Sequence, residues 1–430
     1  MIVLDQNGFL VDNVCMRRVV VTGVGMITPL GHNVKDSWDA MLKGVNGIGP
    51  ITRYDVTEHK AKLAAEIKGY DPDKYFERME SRKLDLYSQY SIVASTEAVA
   101  DSCLKSNREG EKGNIRAEKL GTYIGSGIGG FMTITSSQDV LRAKGPSRIP
   151  AATVPMIIGN IASAHVAIKH NAKGVNLPIQ TACATGANAL GEAFLAIRGG
   201  IADAIIAGGA EAAIDPLAMA GFANMMALTQ STDPNVASLP FDKRRKGFVM
   251  GEGAGVVVLE EYEHAKARGA KIYCEMVGYG SSCDAFHITA PEPSADGFIR
   301  ALQMAVDMAE VKKDEKIYYN AHGTGTELND KTETLAVKTV FGDKAKKMPI
   351  SSTKSMTGHM LGGTGAVEAI VAIKALQTGK IPPTINLNEA DPDCDLDYTP
   401  NKMREYKADV AVSTNLGFGG HNAAIIFRKI

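Results

Sequence analysis

The sequence predicts a layered α/β protein, and three observations carry that reading. Short runs of β-branched and small apolar residues alternate with stretches of helical period. Glycines punctuate the ends of those runs, and 430 residues exceed the usual size of one hydrophobic core. Two core units, or one unusually large α/β domain, are expected.

Taken in order, Arg18 to Gly25 (RVVVTGVG) reads as a buried strand that ends in a glycine turn at Gly23 and Gly25. These glycines do not make a dinucleotide motif, because a third is missing and Pro29 stands where a phosphate-binding helix would open. Leu86, Tyr90, Val93, Ala94 and Ala98 repeat with a helical period, as do the apolar residues over 191–197 and 366–376. Short apolar strands are expected over 120–124, 204–207, 255–259, 318–320 and 423–427. A charged helical stretch over 260–271 separates GVVVLEE from IYCEMVGYG and marks a boundary between two halves, 16–265 and 266–430. No direct repetition between the halves is visible. Met16-Arg17-Arg18 is a better starting point for the fold than Met1, so residues 1–15 are expected to be an extension, a candidate for disorder with no function assigned.

Composition excludes several functions. With 45% hydrophobic residues, 22% charged and a formal net charge of -1, nothing suggests a nucleic-acid binder. The six cysteines form no C-x-x-C pair and no dense framework, which argues against a zinc site and a disulfide scaffold and suits a reducing cytoplasm. The longest small-apolar region, around Ala204 to Leu228, is broken by Glu211 and Asp215, so no membrane span is expected. The first fifteen residues lack the basic start of a signal peptide and carry Asp5 and Asp12, which a transit peptide would avoid.

The chemistry gathers in three segments. In TACATGANA, Cys183 stands between an extended entry and a helix of small residues, where the positive end of the helix dipole favours the thiolate. Alone, such a cysteine is more often a small buried hydrophobe. Its company changes the balance: His322 in NAHGTGT and His359 in KSMTGH each sit in a glycine- and threonine-rich loop beside a strand signal. As metal ligands the three are poorly spaced, and no compact fourth ligand accompanies them.

Together with VVVTGVGMITPLG, PFDKRRKGFVMGEGAG, SSTKSMTGHMLGGTGAVEA, PPTINL and GFGGHNA, these segments resemble the β-ketoacyl-acyl-carrier-protein synthases, most closely the elongating type II members, over residues 16–430. That resemblance implies the thiolase fold, a five-layer α-β-α-β-α sandwich of two similar halves, and a homodimer with its active sites near the interface. It separates the chain from thiolases, which carry a second catalytic cysteine, and from initiating synthases, which have an asparagine where this chain has His359.

The resemblance also implies roles. Cys183 takes the acyl group, and His322 and His359 hold the thioester oxygen of the malonyl unit as CO2 leaves. Lys354 and Glu368 support the histidines, while Phe418 supplies an oxyanion N–H and gates the site, its flanking glycines giving the loop freedom to swing. Thr289, Thr324 and Thr326 bind the pantetheine arm. Arg78, Arg82, Lys83 and Arg148 are candidates for a basic patch facing the acidic acyl carrier protein; the bland reading of each is a solvated surface charge, and for Arg78 and Arg148 the two readings weigh the same. No cofactor and no metal are implied.

Three departures from the family pattern stand out. Thr414-Asn415-Leu416 replaces a common Asn-Ser-Phe before the gate, Met225-Met226 lacks a nearby arginine, and Ala151-Ala152-Thr153 replaces aromatics that shape the acyl pocket. Small residues at that last position are expected to widen the pocket. The alternatives are a ketosynthase subunit of polyketide or specialised-lipid assembly, and a non-catalytic chain-length-factor partner, against which Cys183 and both histidines argue.

Overall fold

The computed structural model describes residues 16–430, together with the backbone of two short strands, Ile2–Leu4 and Leu10–Asp12, which pair antiparallel. The disorder considered for the rest of 1–15 lies outside the described residues.

Nine strands form one continuous sheet: β1 (Val19–Ile27), β2 (Leu120–Gly125), β3 (Ala204–Glu211), β4 (Gly253–Glu261), β5 (Cys274–Cys283), β6 (Ile317–Asn320), β7 (Ile350–Ser351), β8 (Val410–Gly417) and β9 (His421–Arg428). Their spatial order is β7-β6-β8-β9-β5-β1-β4-β3-β2. The sheet is the sum of two similar halves. In one, β2 lies parallel to β3, then β4 and β1 follow antiparallel. In the other, β6 lies parallel to β8, then β9 and β5 follow antiparallel. The halves meet where Val19, Val20 and Val21 of β1 pair with Met276, Glu275 and Cys274 of β5.

Six helices complete the layers: α1 (Leu86–Ser102), α2 (Ile161–His170), α3 (Thr185–Arg198), α4 (Asp296–Ala309), α5 (Glu327–Phe341) and α6 (Thr364–Thr378). Helices α1 and α2 cover the outside of the first half, and α4 with α5 the outside of the second. Between the halves, α3 and α6 pack on each other and on strands of both, giving the five-layer α-β-α-β-α order. All nine residues of β1 are buried, which is why the sequence shows a continuous apolar run there and no alternation.

One expectation is corrected. The strand does not turn at Gly23 and Gly25 but runs on to Ile27. A Cβ at Gly23 would lie 2.1 Å from the carbonyl oxygen of Ala98, and one at Gly25 2.1 Å from that of Ala94, so these glycines admit α1 against the strand. The charged stretch over 260–271 contains a short helix, Tyr262–Ala267, linking β4 to β5. Among the described residues no helix is long and apolar enough to cross a membrane.

Candidate active site

Cys183 sits in a single 3-10 turn, Ala182–Ala184, that leads into α3. The turn is held from both sides. Ala182 takes a left-handed φ of 49°, and the Thr185 hydroxyl accepts the N–H of Thr181 at 2.9 Å. The thiol is 7% exposed and forms part of the wall of a cavity of about 330 Å3. Backbone N–H groups of Phe418 and Cys183 both face the sulfur. Gly417 allows that approach, since a Cβ there would stand 2.6 Å from Thr181 O. This glycine fits the gate loop closely against the nucleophile turn, whereas Gly419 and Gly420, at φ 90° and 76°, are the two whose backbone needs glycine's freedom.

His322 and His359 line the same cavity with their rings edge to face, centroids 5.3 Å apart. His322 lies two residues past the end of β6, and the carboxylate of Glu333 on α5 accepts its N–H at 2.8 Å and that of Gly323 at 2.7 Å. The Asn415 amide nitrogen donates to Glu368 Oε2 at 2.8 Å and lies 3.4 Å from His322 Nδ1, which makes Nδ1 the acceptor and leaves the ring proton on Nε2. His359 lies in the loop before α6, with Nδ1 3.1 Å from the Thr364 hydroxyl and the Phe248 ring edge-on at 5.1 Å. Burial, and after it the Lys354 charge, holds both imidazoles well below the usual histidine range, so both are neutral.

Lys354 and Glu368 form an ion pair of 2.6 Å with both side chains 1% exposed. The same ammonium donates to the carbonyl oxygen of His322. Burial pushes the Glu368 carboxyl up while Lys354 and Asn415 pull it back. Lys354, Glu368 and Asn415 therefore hold the His322 loop through both its backbone and its ring.

The thiol corrects a sequence expectation. Burial pushes Cys183 up to about 12, and the opposing pull of Lys354 and the two backbone N–H groups does not offset it. At a site removed from water, desolvation of a thiolate outweighs the favourable helix end. The resting nucleophile is a protonated thiol.

The remaining expected residues divide into two groups. Thr289, Thr324, Thr326 and Phe418 line the cavity, and the two threonine hydroxyls of the 324–326 loop are 2.8 Å apart. The Phe418 ring stacks on Phe222 at 6.3 Å, and the N–H of Gly419 donates to Ile288 O at 2.6 Å, tying the gate loop to the Thr289 segment. Arg78, Arg82, Lys83 and Arg148 are exposed and stand outside the cavity wall. Ala151, Ala152 and Thr153 are likewise outside it. Met225 and Met226 are at the rim, and Leu416 lines the wall at the altered Thr414-Asn415-Leu416 position.

Sequence reasoning missed Glu333, Glu211 and Thr364. Glu211, wholly buried, accepts from Ser126 Oγ at 2.9 Å, Gly127 N at 2.8 Å and Gly362 N at 3.1 Å, and burial pushes it up to about 7. Glu333 is also pushed up to about 7 by burial. In α5 the buried residues include Asn329, Asp330, Thr332, Glu333 and Thr334, a polar face turned inward. Among the described residues no group of three or more His, Cys, Asp or Glu is placed to hold a metal ion.

Residues 16–265 match the family described as Beta-ketoacyl synthase, N-terminal domain, and residues 273–388 match Beta-ketoacyl synthase, C-terminal domain. A protein of a Synechocystis species named 3-oxoacyl-[acyl-carrier-protein] synthase 2 is 48% identical over 97% of this chain and 99% of its own. One of the same name from Staphylococcus aureus is 46% identical over 96% of this chain and 98% of its own. Among solved structures, a beta-ketoacyl synthase from Burkholderia phymatum is 36% identical with a TM-score of 0.86, covering 96% of this chain and 100% of its own. A ketosynthase solved with its type II polyketide-synthase acyl-carrier protein and bound to a hexaketide is 33% identical with a TM-score of 0.87, over 96% of this chain and 100% of its own.

Proposed function

The chain belongs to the β-ketoacyl synthase family and is a condensing enzyme of fatty-acid elongation, a 3-oxoacyl-[acyl-carrier-protein] synthase of type II; we propose that Cys183, His322 and His359 divide its reaction between them. The observation that carries this reading is the meeting of one buried thiol and two buried, neutral imidazoles in the wall of a single cavity.

In the first half-reaction the Cys183 sulfur attacks the acyl thioester on the phosphopantetheine of acyl carrier protein. Its proton leaves with the departing pantetheine thiol, and the chain stays on the protein as a thioester. Because the thiol rests protonated, proton loss and carbon–sulfur bond formation are coupled. In the second half-reaction malonyl carrier protein enters, and the electron pair of its breaking carbon–carboxylate bond moves into an enolate as CO2 departs. Neutral imidazoles donating Nε2–H, with Asn415 and Thr364 on the Nδ1 side, stabilise that oxygen without the cost of an ion buried in the resting site. The enolate carbon attacks the acyl carbonyl, the N–H groups of Cys183 and Phe418 hold the tetrahedral oxyanion, and collapse expels the Cys183 thiolate, which takes up a proton from solvent to return to the resting thiol. The favourable free energy of losing CO2 drives the condensation, so no cofactor is required.

Thr289, Thr324 and Thr326 offer hydroxyls along the route of the pantetheine arm, with Phe418 as its gate. Arg78, Arg82, Lys83 and Arg148 are proposed contacts for the carrier protein, supported by their exposure. A homodimer is supported by exposed apolar side chains at Leu177, whose segment bonds to Thr122 of β2, and at Val154 and Ile158. Free thiols at all five described cysteines support a cytoplasmic setting. The presence of the nucleophile argues against the chain-length-factor reading, and relatives 46–48% identical that are named 3-oxoacyl-[acyl-carrier-protein] synthase 2 argue against the polyketide reading.

The test is direct. Incubation with acyl carrier protein bearing an acyl chain, followed by peptide mapping, should find the acyl mass on Cys183; adding malonyl carrier protein should release the 3-oxoacyl product. Acylation at another residue, or none, overturns the assignment.

A further inference from the structure

Of the ion pairs that the reaction as described leaves unused, Arg53–Glu252 is bonded to the segment that carries His359. Glu252 is fully buried, and the Arg53 guanidinium grips its carboxylate with both terminal nitrogens, Nη1 reaching Oε2 at 2.6 Å. The carboxylate also accepts the N–H of Ile67 at 2.8 Å, and Arg53 lies 3.4 Å from the Tyr90 hydroxyl on α1. Neither residue lines the cavity.

What the pair does touch is the support of His359. The histidine's backbone is the last ply of a small parallel ladder: its N–H donates to Val249 O at 2.7 Å, and its carbonyl accepts from Gly251 N at 2.9 Å. The middle ply, 249–252, pairs in turn with Ala65, whose N–H donates to Met250 O at 2.8 Å and whose carbonyl accepts from Glu252 N at 3.3 Å. Gly358 lets the plies close up, since a Cβ there would lie 2.9 Å from Val249 O. Glu252 thus sits at the end of the middle ply and is bonded to the outer one through Ile67 and, by its side chain, to Arg53 on the neighbouring segment, where Ile51 N donates to Lys62 O. His322 rests on other groups, Glu333, Lys354, Glu368 and Asn415, and neither Arg53 nor Glu252 bonds to any of them.

We propose that the Arg53–Glu252 pair is the positioning device of His359, fixing the register of the ladder that carries this histidine, while no hydrogen bond joins the pair to the groups that hold the Cys183 turn or His322. A slip of one residue along the ladder would carry the ring about 3.3 Å, and a displacement of even about 1 Å is enough to cost on the order of a hundredfold in rate. Enolate stabilisation by His359 should depend on the pair; transfer of the acyl chain to Cys183 should not.

The inference rests on the reading of His359 as a holder of the malonyl thioester oxygen, so three variants are assayed together. Glu252→Gln keeps the size of the side chain and lets Arg53, which is partly exposed, turn to water. Arg53→Lys keeps the charge and loses the fork. His359→Ala reports on the parent reading. For folded Glu252→Gln, the expected result is a loss on the order of tenfold to a hundredfold in kcat for malonyl decarboxylation, with KM and the rate of Cys183 acylation each unchanged within about twofold; Arg53→Lys should fall in the same direction by less. Equal losses in acylation and decarboxylation would reduce the pair to a general structural role and overturn the proposal. So would unchanged decarboxylation in both pair variants while His359→Ala loses it. Decarboxylation that survives in His359→Ala would overturn the parent reading instead. Should Glu252→Gln fail to fold, Arg53→Lys decides by the same comparison of rates.

Discussion

The turns that enter α3 and α6 share a backbone and differ in what they carry. Ala182 and Leu361 both take left-handed φ angles, 49° and 42°, each opens a 3-10 turn, and each turn runs into Thr-Gly-Ala at 185–187 and 364–366. The counterpart of Cys183 is Gly362. In the first turn the threonine hydroxyl of the helix start caps the backbone at Thr181; in the second the equivalent hydroxyl meets the ring of His359. A Cβ at Gly362 would lie 2.3 Å from the N–H of Gly127, so the second turn is spent on close approach. One scaffold used twice holds a nucleophile at one end and brings a histidine up to it from the other.

The largest effect should come from removing what only the first turn has. Cys183→Gln should abolish condensation, because no acyl group can be stored, while malonyl decarboxylation persists on the two histidines. Product mass and CO2 release measure the two separately. Loss of both would mean that the sulfur takes part in decarboxylation, contrary to the division drawn between the turns.

The second turn is tested by making its glycine more like its counterpart. Gly362→Ala drives a methyl group into backbone and should cost about 1–3 kcal/mol of stability, read as a lower urea midpoint at unchanged slope. An unchanged midpoint would show that the turn is not packed to its limit and that the glycine serves another purpose.

The sequence made some of this legible and concealed the rest for physical reasons. Strands β1 to β4 were readable because a doubly covered sheet needs unbroken apolar runs, and Cys183, His322 and His359 stood out because glycine and threonine loops are poor core material. The duplication was not readable. Its sequence trace is the three residues Thr-Gly-Ala, while the resemblance between halves lies in strand order, which depends on pairing and not on identity. Gly23 and Gly25 were misread as a turn because nothing local reveals the helix lying across them. Glu211 and Glu333 were hidden for the opposite reason: a charged residue in a helix or at a strand end normally signals solvent, and here each is buried to collect backbone N–H groups.

The smallest effect joins the two turns through Glu211, which bonds Gly362 N in one and, by its charge, raises the thiol in the other. With Cys183 pushed up to about 12, its alkylation by iodoacetamide should climb with pH through 9 without a plateau. A plateau near 7 would mean that the helix end outweighs burial after all. Glu211 itself is pushed up to about 7, so below about pH 6 it is neutral in the native protein and above about pH 8 it is charged. A negative charge nearby disfavours the thiolate. Glu211→Gln should therefore alkylate faster than the native protein at pH 8 to 9, by roughly twofold to tenfold, and at the same rate below pH 6, where the native side chain is already uncharged. Equal rates at both ends of that range would uncouple the two turns, and a slower variant at high pH would reverse the sign of the interaction.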